Sequence, residues 1–168
     1  MPDKVLYELA EKAGRALERR GLMLASAESC TGGWIAEAVT MVPGSSAWFD
    51  RGFVTYTNNA KREMLGVRSE TLDRHGAVSE PVVLEMVEGA LKSSQAHIAV
   101  AVSGVAGPSG GTAQKPVGTV CFAWGFKDAA PRAETRHLEG DREAVRRRCV
   151  VHALEVLIAA LDALPLKA

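Results

Sequence analysis

The chain has 168 residues, and its 20 Lys and Arg residues balance its 20 Asp and Glu residues to a formal net charge of zero. The length fits one domain of ordinary size, and the composition, 47% hydrophobic and 24% charged residues, is typical of a globular protein rather than a disordered one. A protein dedicated to nucleic-acid binding usually carries a basic excess, which this sequence lacks.

The cysteines and histidines form no pattern that is typical of a disulfide framework or a metal site. Cys30, Cys121 and Cys149 are widely spaced, and the sequence contains no CxxC or HExxH motif. We therefore expect no metal and no other cofactor. Because no run approaches the roughly 20 apolar residues of a membrane span, and the charged amino terminus lacks the apolar core of a signal peptide, we expect a cytoplasmic protein with no membrane partner.

The first half of the chain predicts alternating helices and strands. Apolar residues have helical spacing from residue 2 to residue 20, and Gly21 then follows a basic stretch, as is typical of a helix C-terminus. The following segments predict, in chain order, a buried strand over 22–27, a helix from Trp34 that stops at Pro43-Gly44, a strand over 48–57, and short helices over 58–65 and 69–74.

The second half predicts two strands in succession before a long final helix. Ser79 is a good N-cap for a helix that carries Pro81 in its first turn. The later segments predict a buried strand over 97–103, a Gly- and Pro-rich loop, strands over 119–126 and 133–138, and a helix capped by Asp141. This order of elements predicts an α/β fold, a three-layer α/β/α sandwich with a mostly parallel mixed sheet.

Ligands of such sheets bind beyond the carboxyl ends of the strands, and the segment ESCTGG (28–33) directly follows a predicted buried strand. Backbone N–H groups at a helix start, here at Gly32 and Gly33, can hold an anion or an oxyanion, and Ser29 is then a candidate nucleophile. The alternative is that Ser29 or Thr31 only caps the helix. Because the glycines follow the serine, the segment does not match the GxSxG motif.

A second candidate pair is Tyr56 at the end of a predicted strand and Lys61 in the helix that follows. A desolvated lysine can serve as a base where no histidine is available. The alternative is a packed tyrosine and a solvated lysine. Cys30 competes with the neighbouring serine for the role of nucleophile, but a cysteine catalyst commonly needs a histidine base, and buried packing is the favoured interpretation.

The third candidate is the segment SGVAGPSGG, which starts at Ser103 and Gly104 and includes Gly110. Its glycines favour unusual backbone conformations or close approach to a ligand, but it matches neither the P-loop nor the dinucleotide-binding fingerprint. An ordinary surface loop is the alternative. The basic start of the last helix, at Arg142 and 146–148, is either a phosphate contact or a solvated face with i,i+4 pairs.

The motifs AESCTGGWIAEAVT, RGFVTYTNNAKREMLGV, HGAVSEPVV, SGVAGPSGG and KPVGTV, in this order, resemble the CinA carboxy-terminal domain family. The resemblance runs from about residue 22 to about residue 161. Stand-alone members of that family are nicotinamide-nucleotide amidases, while longer relatives carry an additional amino-terminal domain. The resemblance therefore implies one CinA C-terminal-like amidase domain over residues 1–168.

The resemblance also implies an activity and a set of site residues. The activity is metal-free hydrolysis of nicotinamide mononucleotide to nicotinate mononucleotide and ammonia, in pyridine-nucleotide recycling. The implied catalytic residues are Ser29, Tyr56 and Lys61, with the tyrosine bridging or orienting the other two. The expected substrate contacts are Thr31, Gly32, Gly33, Ser103, Gly104, Gly110 and Arg142, with Arg146 an open alternative for the phosphate. The family loop often reads GPDGG, and Ser109 replaces its acidic residue here.

Three other functions stay open at this point. The chain is an amidase for a different carboxamide, a nucleotide-binding sensor that has lost catalysis, or a DNA-linked competence factor. The last is disfavoured by the neutral charge. We also expect a homo-oligomer, namely a dimer, for which the helix face with Val83, Met86 and Val87 is one candidate surface and core packing of the same face is the alternative.

Overall fold

The computed structural model describes residues 1–166 and contains a five-stranded sheet between two layers of helices. The strands are β1 (Leu24–Glu28), β2 (Phe49–Val54), β3 (Ile98–Gly104), β4 (Thr119–Phe126) and β5 (Arg132–His137). The helices are α1 (Lys4–Glu18), α2 (Trp34–Thr40), α3 (Asn58–Leu65), α4 (Ser69–His75), α5 (Glu80–Lys92) and α6 (Arg142–Asp162), with a short 3-10 helix at Ser45–Ala47.

The strand order is β2-β1-β3-β4-β5. The first three strands of this order are parallel, β4 is antiparallel to β3, and β5 is antiparallel to β4. All strands except β4 therefore point the same way, and the predicted three-layer sandwich with a mostly parallel mixed sheet is confirmed. The carboxyl ends of β1, β2 and β3 consequently lie at one edge of the sheet.

The two faces of the sheet are covered by different helices and different residue types. In β3, Ile98, Val100 and Val102 pack against the core of α1, α2 and α6, whereas Ala99 and Ala101 pack against that of α5. Strand side chains alternate between the faces, so one face carries larger residues than the other. The small residues allow α5 to lie close to the sheet.

Close packing also fixes the helix that carries Lys61. Gly89 of α5 contacts the end of α3 so closely that a Cβ there would overlap the main-chain carbonyl group of Leu65. The face of α5 with Val83, Met86 and Val87 is fully buried in the same core. Because the core of the same chain covers that face, it is not available as a dimer surface. The expected dimer stays a prediction.

Most predicted elements are present, with small shifts at their ends. α3 and β4 have the predicted bounds, and Gly66 closes α3 with a φ of 68°. α1 begins later than predicted because the Asp3 carboxylate accepts the N–H groups of Val5 and Leu6 as its N-cap. β1 ends one residue later than predicted, so that a carboxylate at Glu28 lies inside the buried sheet.

Candidate active site

A cavity of about 240 Å³ opens at the carboxyl ends of β1, β2 and β3. The predicted site residues that line it are Ser29, Tyr56, Lys61, Ser103, Gly104 and Arg142. These residues come from different elements. They meet because the segments that follow the carboxyl ends of neighbouring parallel strands lie at the same edge of the sheet, as expected for this fold.

The turn that carries Ser29 is organised by Glu28, which is 0% exposed. One carboxylate oxygen accepts the Thr31 hydroxyl at 2.7 Å and the N–H of Ile35 at 2.8 Å. The other accepts the N–H of Ala36 at 3.0 Å and the Ser26 hydroxyl at 3.1 Å. A buried carboxylate at the positive start of α2 is thus fully hydrogen-bonded, and it fixes where the preceding turn lies.

The helix start departs from the predicted side-chain cap, while the predicted anion contact of its N–H groups stays a prediction. The N-cap of α2 is Gly33, with a φ of 101° and no side-chain cap, so neither Ser29 nor Thr31 caps the helix. The N–H of Gly32 donates to the carbonyl of Ser29 at 3.0 Å rather than facing the cavity. Glu28 accepts the N–H groups of Ile35 and Ala36, and Thr31, Gly32 and Gly33 are not among the residues that line the cavity.

The hydroxyl of Ser29 faces a buried lysine. Lys61 Nζ donates to Ser29 Oγ at 3.0 Å and to the carbonyl oxygen of Thr55 at 2.8 Å. The lysine is 1% exposed, and no carboxylate pairs with it among residues 1–166. Burial lowers the pKa of Lys61 from 10.5 to about 8. An amine with this pKa is partly neutral near pH 8 and can take the proton of the serine hydroxyl.

The hydroxyl of Tyr56 contacts an arginine of α6. Its side chain is 56% exposed, and its hydroxyl accepts a hydrogen bond from Arg142 Nη2 at 2.9 Å. Arg142 Nη1 donates to the carbonyl of Gly107 at 2.8 Å. Within the described part of the chain, the tyrosine hydroxyl makes no hydrogen bond to Ser29 or Lys61. The tyrosine therefore holds the arginine at the cavity wall and does not bridge the serine and the lysine in this structure.

The end of β3 supplies a second hydroxyl to the cavity. Ser103 is 1% exposed and lines the cavity. Gly104 follows it, and a Cβ there would lie 2.7 Å from Val120 Cγ2. Gly110 and Ser109 are exposed residues of the following loop and do not line this cavity.

Cys30 is buried and packs in the main core. Cys149 is buried in the same core, and burial raises the pKa of its thiol. No histidine is among the residues that line the cavity. The thiol at this turn accordingly lacks the imidazole base that cysteine catalysts commonly use.

Sequence reasoning missed the roles of Glu28 and of the arginines in α6. Arg146 and Arg147 do not form a solvated face, because the first donates to carbonyl groups of the serine turn and the second pairs with Asp3 of α1. The role of Glu28 could have been predicted from one signal, a charged residue at the end of a buried strand.

Within residues 1–166, no group of three or more His, Cys, Asp or Glu side chains is arranged to hold a metal ion. No helix in the same range combines the length and the apolar character needed to cross a bilayer.

Comparisons with known proteins place these motifs and this geometry in one family. The sequence model of the CinA C-terminal domain matches residues 6–161. The nicotinamide-nucleotide amidohydrolase PncC of Escherichia coli K12 is 56% identical over 159 residues, which cover 94% of this chain and 95% of that protein. The protein of the same name from Shigella flexneri is 54% identical over 157 residues, with 94% and 95% covered. The crystal structure of the competence/damage inducible protein CihA from Agrobacterium tumefaciens superposes with a TM-score of 0.91 at 48% identity, and covers 96% of this chain and 98% of its own.

Proposed function

The chain belongs to the CinA C-terminal domain family, and on that premise we propose that it hydrolyses the carboxamide of nicotinamide mononucleotide to nicotinate mononucleotide and ammonia. The observation that carries the proposal is the contact of 3.0 Å between Lys61 Nζ and Ser29 Oγ at a buried position of the cavity. The names of the two enterobacterial relatives support the substrate class.

The proposed reaction has two halves, in which Lys61 moves the protons. Neutral Lys61 takes the hydroxyl proton of Ser29 as the oxygen attacks the carboxamide carbon. The resulting ammonium gives that proton to the amide nitrogen as the C–N bond breaks, and ammonia leaves. Water then attacks the nicotinoyl ester, Lys61 takes a proton from the water, and it returns the proton to Ser29 as the ester bond breaks.

Ser103 is the group that we assign to the reacting carboxamide. Ser103 lines the cavity, is 1% exposed and carries a hydroxyl donor. A donor of this kind can hold the carbonyl oxygen and the oxyanion that forms from it. Removal of one such donor typically raises the barrier by about 2.7–4 kcal/mol.

Arg142 is the group that we assign to the anionic part of the substrate. It lines the cavity, and no carboxylate pairs with it in the described range. The cavity of 240 Å³ is smaller than the roughly 300–1,000 Å³ of a site for a whole drug-sized ligand, so we expect it to hold the pyridine ring and its amide. A neighbouring cavity of about 530 Å³ shares Ala106 and Arg142 with it and offers room for the rest of the nucleotide.

The test uses the purified chain with nicotinamide mononucleotide, with ammonia and nicotinate mononucleotide measured separately in the presence and absence of a chelator. We expect the two products in equal amounts, no effect of the chelator, and no turnover by Ser29→Ala. Turnover that stops with the chelator would overturn the metal-free mechanism. Ammonia from another carboxamide but not from this one would overturn the substrate, and tight binding without any turnover would indicate a sensor.

A further inference from the structure

Arg146 reaches from the second turn of α6 to the turn that carries Ser29. Its Nε donates to the carbonyl oxygen of Cys30 at 3.0 Å, and its Nη2 donates to that of Thr31 at 3.1 Å. The guanidinium carbon also lies 5.4 Å from the centre of the Trp34 ring, the first residue of α2. One side chain therefore contacts both the turn and the start of the helix that follows it.

The two hydrogen bonds fix the orientation of two consecutive peptide groups. In a trans peptide the N–H points opposite to the carbonyl group. With both carbonyl groups held by Arg146, the N–H of Gly32 points back to the carbonyl of Ser29, to which it donates at 3.0 Å. The planar fork of a guanidinium can hold two adjacent acceptors in this way, whereas an ammonium group is a single point of contact.

The turn is therefore held from two sides. Glu28 binds the start of α2 from the sheet, and Arg146 binds the carbonyl groups of the turn from α6. Ser29 lies between the two, with its own N–H donating to Val102 of β3 at 3.0 Å. Without Arg146, the carbonyl groups of Cys30 and Thr31 lose their side-chain donors, and the Thr31 carbonyl keeps only the N–H of Trp34 at 3.1 Å. The position of Ser29 relative to Lys61 is then less tightly fixed.

We propose that Arg146 is a positioning residue for the nucleophile. It does not line the cavity, so it acts through the carbonyl groups of Cys30 and Thr31 and not on the substrate. This inference rests on the proposed role of Ser29. A displacement of about 1 Å at a reacting group can cost roughly 100-fold in rate, so a loosened turn is expected to lower kcat and to leave KM nearly unchanged.

The experiment compares Arg146→Ala and Arg146→Lys with Arg147→Ala, a matched control on the same helix. Both side-chain hydrogen bonds of Arg147 in the described residues go to Asp3 of α1. We expect Arg146→Ala to lower kcat by a factor of about 10–100, with KM within about twofold, and Arg146→Lys not to restore it. Added guanidinium chloride at millimolar concentration should restore part of the kcat of Arg146→Ala but change neither wild type nor Arg147→Ala.

A second measurement does not depend on the substrate. The rate at which a fluorophosphonate labels Ser29, followed by mass spectrometry, should fall in Arg146→Ala and stay at the wild-type value in Arg147→Ala. Equal kcat or equal labelling in Arg146→Ala and the wild type would overturn the proposal. Wild-type protein that is labelled at Ser29 but releases no ammonia from nicotinamide mononucleotide would overturn the proposed substrate, while the labelling comparison would still decide the role of Arg146.

Discussion

Lys61 Nζ lies 3.0 Å from Ser29 Oγ, although the two residues are 32 positions apart in the chain. The serine comes from the turn after β1, and the lysine comes from α3, which follows β2. The lysine is 1% exposed, and its second hydrogen bond goes to the neutral carbonyl group of Thr55. Desolvation lowers the pKa of a buried amine without a carboxylate partner, so that a larger fraction of it is in the neutral form that a base requires.

The first prediction concerns the pH dependence of the reaction. Burial lowers the pKa of Lys61 to about 8, and the base must be deprotonated to accept the proton of Ser29. The value of kcat/KM for nicotinamide mononucleotide should therefore rise with pH, with a midpoint near 8. Initial rates of ammonia release between pH 6 and pH 10 measure this. A rate that is constant from pH 6 to pH 9 would exclude Lys61 as the base.

The second prediction concerns stability, because the same lysine destabilises the fold while it is protonated. The pKa of Lys61 falls from 10.5 in the unfolded chain to about 8 in the folded protein. The unfolded state therefore binds the proton more tightly, and the cost at pH 7 is about 3 kcal/mol. This cost is fully present below pH 8 and disappears as the pH rises through 10.5.

Lys61→Met should accordingly raise the free energy of unfolding at pH 7, while it abolishes ammonia release. The gain over the wild type should shrink as the pH approaches 10.5, and urea denaturation at several pH values measures it. Lys127→Met, at an exposed position of the same chain, is the control and should show no such pH-dependent gain. A Lys61→Met protein that is less stable than the wild type at every pH would contradict the desolvation argument.

The sequence was sufficient for the fold and for the local signals of the site, but not for its long-range contacts. The bounds of α3 follow from local signals that end at Gly66, and the turn at Ser29 follows from its position after a buried strand. The two backbone N–H partners of Glu28 lie seven and eight residues further along, on a helix whose start the sequence assigns to a ligand. The contact between Tyr56 and Arg142 spans 86 positions, which no local pattern encodes.

The third prediction separates the two roles considered for Tyr56. Its hydroxyl accepts from Arg142 and makes no hydrogen bond to the catalytic pair in the described chain. Tyr56→Phe should therefore release the arginine and weaken substrate binding by about 1 kcal/mol, which is roughly fivefold in KM, with kcat nearly unchanged.

Nicotinamide riboside, which lacks the phosphate, provides the control for this variant. The KM of the riboside should respond little to Tyr56→Phe if Arg142 binds the phosphate. Steady-state kinetics with both substrates measure the difference. A large fall in kcat at constant KM would instead show that the tyrosine acts on Ser29 or Lys61.

The fourth prediction concerns the thiol beside the nucleophile. Cys30 belongs to the same buried core as Cys149 and also lines the cavity, but no histidine is among the lining residues. Cys30→Ala should therefore retain ammonia release and lose only about 1 kcal/mol of stability through the small cavity that it leaves. Treatment of the wild type and the variant with iodoacetamide should also give the same residual activity. A folded variant without any turnover would make the thiol the nucleophile.

The last prediction concerns the support of the serine turn by Glu28. Its carboxylate accepts four hydrogen bonds at 2.7–3.1 Å, two of them from N–H groups at the start of α2. In Glu28→Gln one oxygen becomes an NH₂ group, which cannot accept from these donors, and the negative charge at the positive end of the helix is lost. Because the site is 0% exposed, water cannot replace the missing acceptor, and the variant should lose about 2 kcal/mol or more of stability.

Glu28→Gln should also lower kcat, since the turn that carries Ser29 loses its anchor on the sheet side. Glu37→Gln is the matched control, because Glu37 lies in the first turn of the same helix but is exposed. It should cost only a few tenths of a kcal/mol through the helix dipole and leave kcat unchanged. The midpoints of urea denaturation and the rates of ammonia release of the two variants test this prediction. Equal stability and equal kcat in both would mean that the carboxylate of Glu28 does not organise the turn.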